Sequence, residues 1–525
     1  MELRIKRTIA AGTALAAGLA GTVAMGGNAI AARPERAKNV IYMVGDGMGV
    51  THIDAARQRY KGAAGELEME TPPVTGMTST YAVEKGTNQP DLVTDSAASG
   101  TAWSSGVKTY NGAVGKDTDE NIVVTLMEQA KAAGMRTGNV STAEVTDATP
   151  AAMFSHVSKR GCQGPSAQMA ASVCTSKDGQ DVPVAQQVSR NNVADVIFGG
   201  GLQRFEPADQ AALQANGYQV LGNFGTAPQG TPQTADSQTV AMRDDLDDIS
   251  SDKVIGLFNR GNLTVEKFKR ENPGSDEADE PSVSEMTTKA LEILGKPDFP
   301  GKSEGKGNGK GKNNKAPGFF LQVESALIDK RSHANDADQT LEEMINFDEA
   351  VKVALAFARR DGNTLVIVTA DHECAGFNII GQGGFTNAEA VSPPGNIDGG
   401  NPANTSTDPG RVRGGKDPVR SPNIYNDPTK LAPTPERPTN PANSNNFAPA
   451  TFRTADDPAG VQDGTPEASL WLSYLSGSHT GADVPVRALG PGARQFDNNN
   501  DNTDHYFFMS RALGLQPAGS QQPKR

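Results

Sequence analysis

The stretch Asp91-Leu-Val-Thr-Asp-Ser-Ala-Ala-Ser-Gly-Thr-Ala-Trp103 holds the side chain best placed to act as a nucleophile. A short apolar lead-in ends in Asp95-Ser96, and small residues that tolerate a helix run on to Gly106. Ser96 is thereby expected in a first helical turn, facing unpaired backbone N–H groups and the positive end of the helix dipole. That place suits a hydroxyl that must become an alkoxide, and an anion that docks beside it. Asp95 or Ser96 is equally the ordinary choice for a helix cap. The stretch alone does not separate chemistry from capping.

Carboxylates and imidazoles come after the other apolar runs. The run 38–44 delivers Asp46, and the segment after Val140 delivers Asp147 and Thr149. The run ending at Val323 delivers Glu324, then Asp329 and His333; the run ending at Thr369 delivers Asp371 and His372. The turn Gly477-Ser-His479-Thr precedes the last strand, and three of the six histidines fall in this set. Asp329-x-x-x-His333 is the spacing that brings two ligands to one face of a helical turn. Mixed histidine and carboxylate sets suit Zn²⁺, and all-oxygen sets such as Asp, Thr and Glu suit Mg²⁺. A single Asp-His pair is more often a cap or a surface feature. Their joint occurrence at several strand exits points to metal-assisted chemistry, because α/β sheets bind ligands outside the carboxyl ends of their strands.

The elements that must position these groups are legible as periodicity. Strands are expected at 38–44, 136–140, 194–198, 218–221, 319–323, 364–369 and 484–489, the last being the final strand. Helices are expected at 50–60, 122–133, 284–294, 341–359 and 505–513. The run 364–369 is apolar without alternation, as in a parallel sheet covered on both faces. The fold class is α/β, a three-layer α/β/α arrangement around a central, mostly parallel sheet. Residues 32–525 read as one domain with two departures. Residues 301–316 are nearly all Gly, Lys, Asn and Ser, a linker or loop. Residues 391–460, crowded with Pro, Asn, Asp, Thr and Gly, read as a long irregular surface insertion, with order resuming near Ala468.

Composition narrows the function classes. With 62 acidic against 49 basic residues and a net charge of −13, the chain is a poor partner for nucleic acid. Arg4, Lys6 and Arg7 with a small apolar stretch after them and Ala29-Ile-Ala31 read as an export signal over residues 1–31. No later run has the length of a membrane span, and the signal implies a periplasmic or secreted chain, with free and surface-bound fates alike open. In an exported protein Cys162 and Cys174, around a Gly/Pro/Ser/Gln loop, can close a disulfide. Cys374, two residues after His372, is left over as a buried free thiol or a weak extra metal ligand.

Gly45-Asp-Gly-Met-Gly49, Val93-Thr-Asp-Ser-Ala-Ala-Ser99, Asp147-Ala-Thr-Pro-Ala-Ala152, Val323-Glu-Ser-Ala-Leu-Ile-Asp-Lys330, Thr369-Ala-Asp-His372 and Ser478-His-Thr-Gly481 occur in order along the chain. In wording and spacing this series resembles the bacterial alkaline phosphatases. The resemblance implies hydrolysis of phosphate monoesters through a phosphoserine on Ser96, with two zinc ions and one magnesium ion. By the match, Asp329, His333 and His479 would hold one zinc and Asp46, Asp371 and His372 the other. Asp46, Thr149 and Glu324 would hold the magnesium. Arg160, in His156-Val-Ser-Lys-Arg160-Gly-Cys162, matches the phosphate-binding arginine, with Asp95 orienting it. Asp147 and Lys330 match positions behind the magnesium and the phosphate. The Cys162–Cys174 pair also resembles a family disulfide, and a homodimer is a family expectation. His52, His156 and His505 match no ligand position and are expected to be structural. Ser96-Ala-Ala-Ser-Gly lacks the Cys/Ser-x-Pro-x-Arg pattern of sulfatases. Gly45-Asp-Gly-Met-Gly49 lacks the G-x-G-x-x-G spacing of dinucleotide folds.

Overall fold

A computed structural model describes residues 36–165, 172–226, 234, 237–296, 318–382, 447–465, 467–475 and 477–518. The expected signal segment, the 301–316 stretch and residues 391–446 of the expected insertion lie outside the described residues. In chain order the strands used here are β1 (Asn39–Gly45), β2 (Val74–Ser79), β3 (Arg136–Glu144), β4 (Val196–Gly200), β5 (Gln219–Leu221), β6 (Val254–Leu257), β7 (Phe319–Ser325) and β8 (Thr364–Thr369). A separate three-stranded sheet holds β9 (Asn378–Ile380), β10 (Phe447–Phe452) and β11 (Leu470–Tyr474). Then β12 (Val484–Leu489) and β13 (Asn498–Asp501) return to the main sheet.

The main sheet has ten strands in the order β13-β2-β12-β8-β1-β7-β3-β4-β6-β5. Neighbours run parallel except at β12, which is antiparallel to both β8 and β2. Every residue of β1 and β8 is buried, as the unbroken apolar runs require when helices cover both faces. Ile41 and Met43 enter one core with helices α1 (Val50–Lys61), α5 (Val283–Leu294) and α7 (Ala337–Asp361). Val40, Tyr42 and Val44 enter the other with α2 (Ser96–Ser105), α3 (Leu126–Ala132) and α8 (Asn502–Leu513). Two short helices, α4 (Ala148–Ala151) and α6 (Leu327–His333), complete the elements around the site. Each buried Val, Leu or Ile contributes on the order of 2 kcal/mol, so the central strands are rigid supports for the loops at their carboxyl ends.

Several expected boundaries move for local reasons. Helix α3 begins at Leu126, not at residue 122, because Thr125 and Glu128 close a reciprocal cap. Ile122 stays outside, exposed and bridged to Lys116. Helix α7 begins at Ala337 because Asp336 caps it, accepting from Gln339 N at 3.1 Å. Regular structure is present before Ala468: β10 pairs with β11 and buries Ala450 and Phe452. Strand β13 comes after the strand expected to be last, and no clear periodicity marks β2.

Candidate functional site

The expected residues meet because four neighbouring strands, β8-β1-β7-β3, end together. Val44 is level with both Thr369 and Glu324, and Glu324 is level with Ser141. Asp46 comes directly after β1, and Asp371-His372 come just after β8. Glu324 is the sixth residue of β7, and Asp147 caps the short helix carrying Thr149 after β3. The turn after β1 needs Gly47. Its φ is +71°, and a Cβ there would lie 2.9 Å from Asp329 Oδ1 and 2.8 Å from Cys374 Cβ.

Two clusters of ligand-type atoms result, each with all its atoms within 4.8 Å of one another: Asp329, His333, Cys374 and His479, and beside them Asp46, Asp371 and His372. In the first, His333 Nε2 lies 3.3 Å from Asp329 Oδ2, and His479 Nε2 lies 3.5 Å from Asp329 Oδ1. Each ring is oriented from behind: Nδ1 of His333 is 2.8 Å from the Gly477 carbonyl and Nδ1 of His479 is 3.0 Å from the Thr94 carbonyl. Those carbonyls can only accept, so both Nδ1 atoms carry the proton and both Nε2 atoms present lone pairs. Yet the two Nε2 atoms stand 3.0 Å apart. Two facing lone pairs beside a carboxylate repel one another unless a cation lies among them.

In the second cluster His372 Nε2 lies 3.0 Å from Asp371 Oδ2 and 3.7 Å from Asp46 Oδ1. Asp371 Oδ1 accepts from the N–H groups of Gly47 at 3.0 Å and His372 at 2.9 Å. The rings of His372 and His479 stack with centroids 3.5 Å apart, joining the clusters. Burial first, then the charges of Asp371, Asp329 and Glu324, push the Asp46 carboxyl well above its ordinary range. Burial likewise raises Glu324, to about 7, although Ser141 donates to it. Burial would also raise Asp329, but the His333 and His479 imidazoles, when they carry a second proton on Nε2, hold it well below the carboxylate range. The buried oxygens Asp46 Oδ1, Asp329 Oδ1 and Thr149 Oγ1 accept no hydrogen bond. Orphaned buried oxygens are costly, and here they belong to residues expected to hold metals. The donor chemistry therefore fits cations: histidine with carboxylate in both clusters, and all-oxygen donors at Asp46, Thr149 and Glu324.

Ser96 is the first residue of α2, capped by Asp95, whose Oδ1 accepts from Ala98 N at 2.9 Å. Its Oγ is buried and 3.3 Å from His372 Nε2. Helix α2 is set by Trp103, whose Nε1 donates to Gln322 of β7, and by Ser99, whose Oγ donates to the Asp371 carbonyl at 2.8 Å. Arg160 donates from Nη1 to Asp95 at 3.2 Å and from Nη2 to Asp147 at 2.9 Å. Lys330 Nζ donates to the other Asp147 oxygen at 2.8 Å. Burial opposes charge on Asp147, but Lys330 and Arg160 hold it well below its usual range.

All expected site residues are thus brought to one end of the sheet. Cys162 and Cys174 form a disulfide, Cα–Cα 4.9 Å. The other three histidines hold the frame: His52 contacts Ser332, His156 contacts Gly115 and Glu128, and His505 lies between Tyr42 and Thr78. The Thr94 and Gly477 carbonyls escape sequence reasoning because backbone atoms leave no residue-type signal. Asn111 escapes it too; its side chain ties Asp91, Val93 and Asp95 together. Among the described residues no helix is long and apolar enough to cross a membrane.

A family model described as alkaline phosphatase matches residues 37–397. Alkaline phosphatase of Escherichia coli K12 is 40% identical over 364 residues, 64% of this chain and 70% of that protein. Alkaline phosphatase H of Pseudomonas aeruginosa is 32% identical over 514 residues, 92% of this chain and 86% of that protein. The crystal structure of Thermus thermophilus alkaline phosphatase shares the fold, with a TM-score of 0.60 at 23% identity, covering 95% of this chain and 96% of that one.

Proposed function

The chain belongs to the alkaline phosphatase family, and from that premise we propose that it is an exported phosphomonoesterase working through a phosphoserine on Ser96. The observation that carries this reading is the 3.3 Å approach of Ser96 Oγ to His372 at the junction of two ligand clusters. Asp329, His333 and His479 are assigned to one zinc ion, and Asp46, Asp371 and His372 to a second. Asp46, Thr149 and Glu324 are assigned to magnesium, with Asp46 shared. When bound, such cations supply Lewis-acid stabilisation of the attacking and departing oxygens of an in-line displacement.

The protein's own groups do the rest. Arg160 has a second N–H on each Nη besides those given to Asp95 and Asp147, and this pair is the fork for two phosphoryl oxygens. Asp95 and Asp147 fix its plane, and Lys330 fixes Asp147. Ser96 Oγ bonds to phosphorus as the alcohol departs, and the first turn of α2 aims N–H groups at the same anion. Water then cleaves the Ser96–phosphate bond, restoring the hydroxyl and releasing inorganic phosphate. Small phosphate monoesters are the substrate class, since these groups hold the phosphoryl part. Export rests on the basic and apolar start of the chain.

Chelation tests the assignment. Complete metal removal should abolish hydrolysis of 4-nitrophenyl phosphate, and Zn²⁺ with Mg²⁺ should restore it. The restored protein should hold two zinc ions and one magnesium by elemental analysis. Undiminished activity in the metal-free protein would sink the reading.

A further inference from the structure

Beside the site stands an apolar feature that phosphoryl chemistry leaves unused. Leu92 and Val93 precede the cap of the Ser96 helix and are 71% and 38% exposed. They are held firmly. Asn111 donates to Asp91 Oδ2 and to the Val93 carbonyl, both at 2.9 Å, and accepts from Asp95 N at 2.8 Å. On the other side the Thr94 carbonyl meets Nδ1 of His479 at 3.0 Å. A Cβ added at Gly481 would lie 2.7 Å from the Leu92 carbonyl and 3.8 Å from Val93 Cγ2. The backbone of the pair is therefore held between the turn that carries His479 and the helix that carries Ser96, with the two side chains left exposed.

We propose that Leu92 and Val93 form an apolar wall for the alcohol part of the substrate, so that the enzyme favours monoesters of apolar alcohols over those of equally acidic polar ones. The proposal rests on Ser96 being the nucleophile. In an in-line displacement the departing oxygen leaves opposite the attacking one. Ser96 lies beside His372, so the cluster containing His479 faces the departing side, and the wall is attached to the His479 turn. Two side chains are far too little for a protein partner or a second copy, since a stable interface covers about 800 Å² on each side. A small apolar group is the occupant that matches this size.

Full burial of a methylene favours binding roughly fourfold, so one-sided contact should give about twofold per methylene. The test uses the metal-loaded enzyme and ethyl, propyl, butyl and pentyl phosphate, whose alcohols are nearly equal in acidity. The ratio kcat/KM reports contacts up to alcohol departure. From ethyl to pentyl phosphate it should rise about eightfold. In Leu92→Ser the rise should shrink to about twofold or less, with ethyl phosphate turnover kept. Calorimetric affinities for ethyl- and pentylphosphonate should show the same split without turnover. A flat series in the native enzyme overturns the proposal, as does a rise that survives Leu92→Ser combined with Val93→Ser. It is overturned equally if Leu92→Ser turns a native dimer into monomers and leaves the series unchanged. Failure to hydrolyse any of these esters, or 4-nitrophenyl phosphate, overturns the reading of the site itself, a different result from a flat series.

Discussion

Replacing Asp147 by Asn tests how the phosphate-holding groups are supported. Its two oxygens serve two cations, Arg160 at 2.9 Å and Lys330 at 2.8 Å. An amide has one acceptor oxygen, so whichever way it turns, one cation faces an N–H₂ group. A lost charge-assisted hydrogen bond costs about 1.5–3 kcal/mol, and an unpaired buried charge about 3–5 kcal/mol. Arg160 keeps Asp95 and is 26% exposed at its side chain, so it can relax toward water; Lys330, at 2%, cannot. Asp147→Asn should therefore cost about 3 kcal/mol of stability. Lys330→Met removes the cation that competes for the Asn oxygen, and in that background the oxygen is free for Arg160. The double variant should cost about 2 kcal/mol less than the sum of the singles. Urea unfolding of the four proteins at fixed saturating Zn²⁺ and Mg²⁺ measures the cycle. Inhibition by inorganic phosphate should weaken about tenfold in Asp147→Asn, because Arg160 tilts toward Asp95. Additivity within about 0.5 kcal/mol would refute the coupled Arg160–Asp147–Lys330 chain.

The frame around the site gives two further outcomes. Burial pushes the imidazoles of His52 and His505 down to about 3. Their unfolded counterparts titrate near 6.5, so the unfolded chain takes up protons first. Stability is full above about pH 6.5 and falls as pH drops toward 3, by about 1.4 kcal/mol per pH unit for each histidine. His505→Gln should make urea midpoints fall less steeply between pH 6 and 4; an unchanged slope contradicts this. Cys162→Ser opens a loop closed across 12 residues. Its loss should cost about 3 kcal/mol in urea unfolding, and reductant should have no further effect on the variant.

Most of the site is legible in the sequence because its ligands sit at strand exits. The apolar runs that open β1, β7 and β8 announce strands, and a few residues past the ends of these strands lie Asp46, Asp329 and Asp371. Ser96 is legible as a cap but not as chemistry until its neighbours are read. The hidden parts depend on contacts far apart in sequence. The Gly477 and Thr94 carbonyls orient His333 and His479 through backbone atoms that any residue could supply. Asn111 bonds to residues 16 to 20 positions before it, and nothing in its own neighbourhood marks it. β10 is lost in Pro- and Asn-rich surroundings because the buried apolar residues among those described, Ala450 and Phe452, are too few to set a period. Cys374 is the buried free thiol expected of it. That it joins the Asp329 cluster comes from its pairing opposite His479 across a two-residue bridge.

The central claim is that Ser96 carries the phosphoryl group, and acid quenching during turnover measures this most directly. Mixing metal-loaded enzyme with labelled phosphate monoester and quenching within one turnover should trap the label on the peptide containing Ser96. Ser96→Ala should take up no label and lose turnover while keeping its full complement of metals. Label on another residue, or a Ser96→Ala protein that turns over at the native rate, would contradict the account.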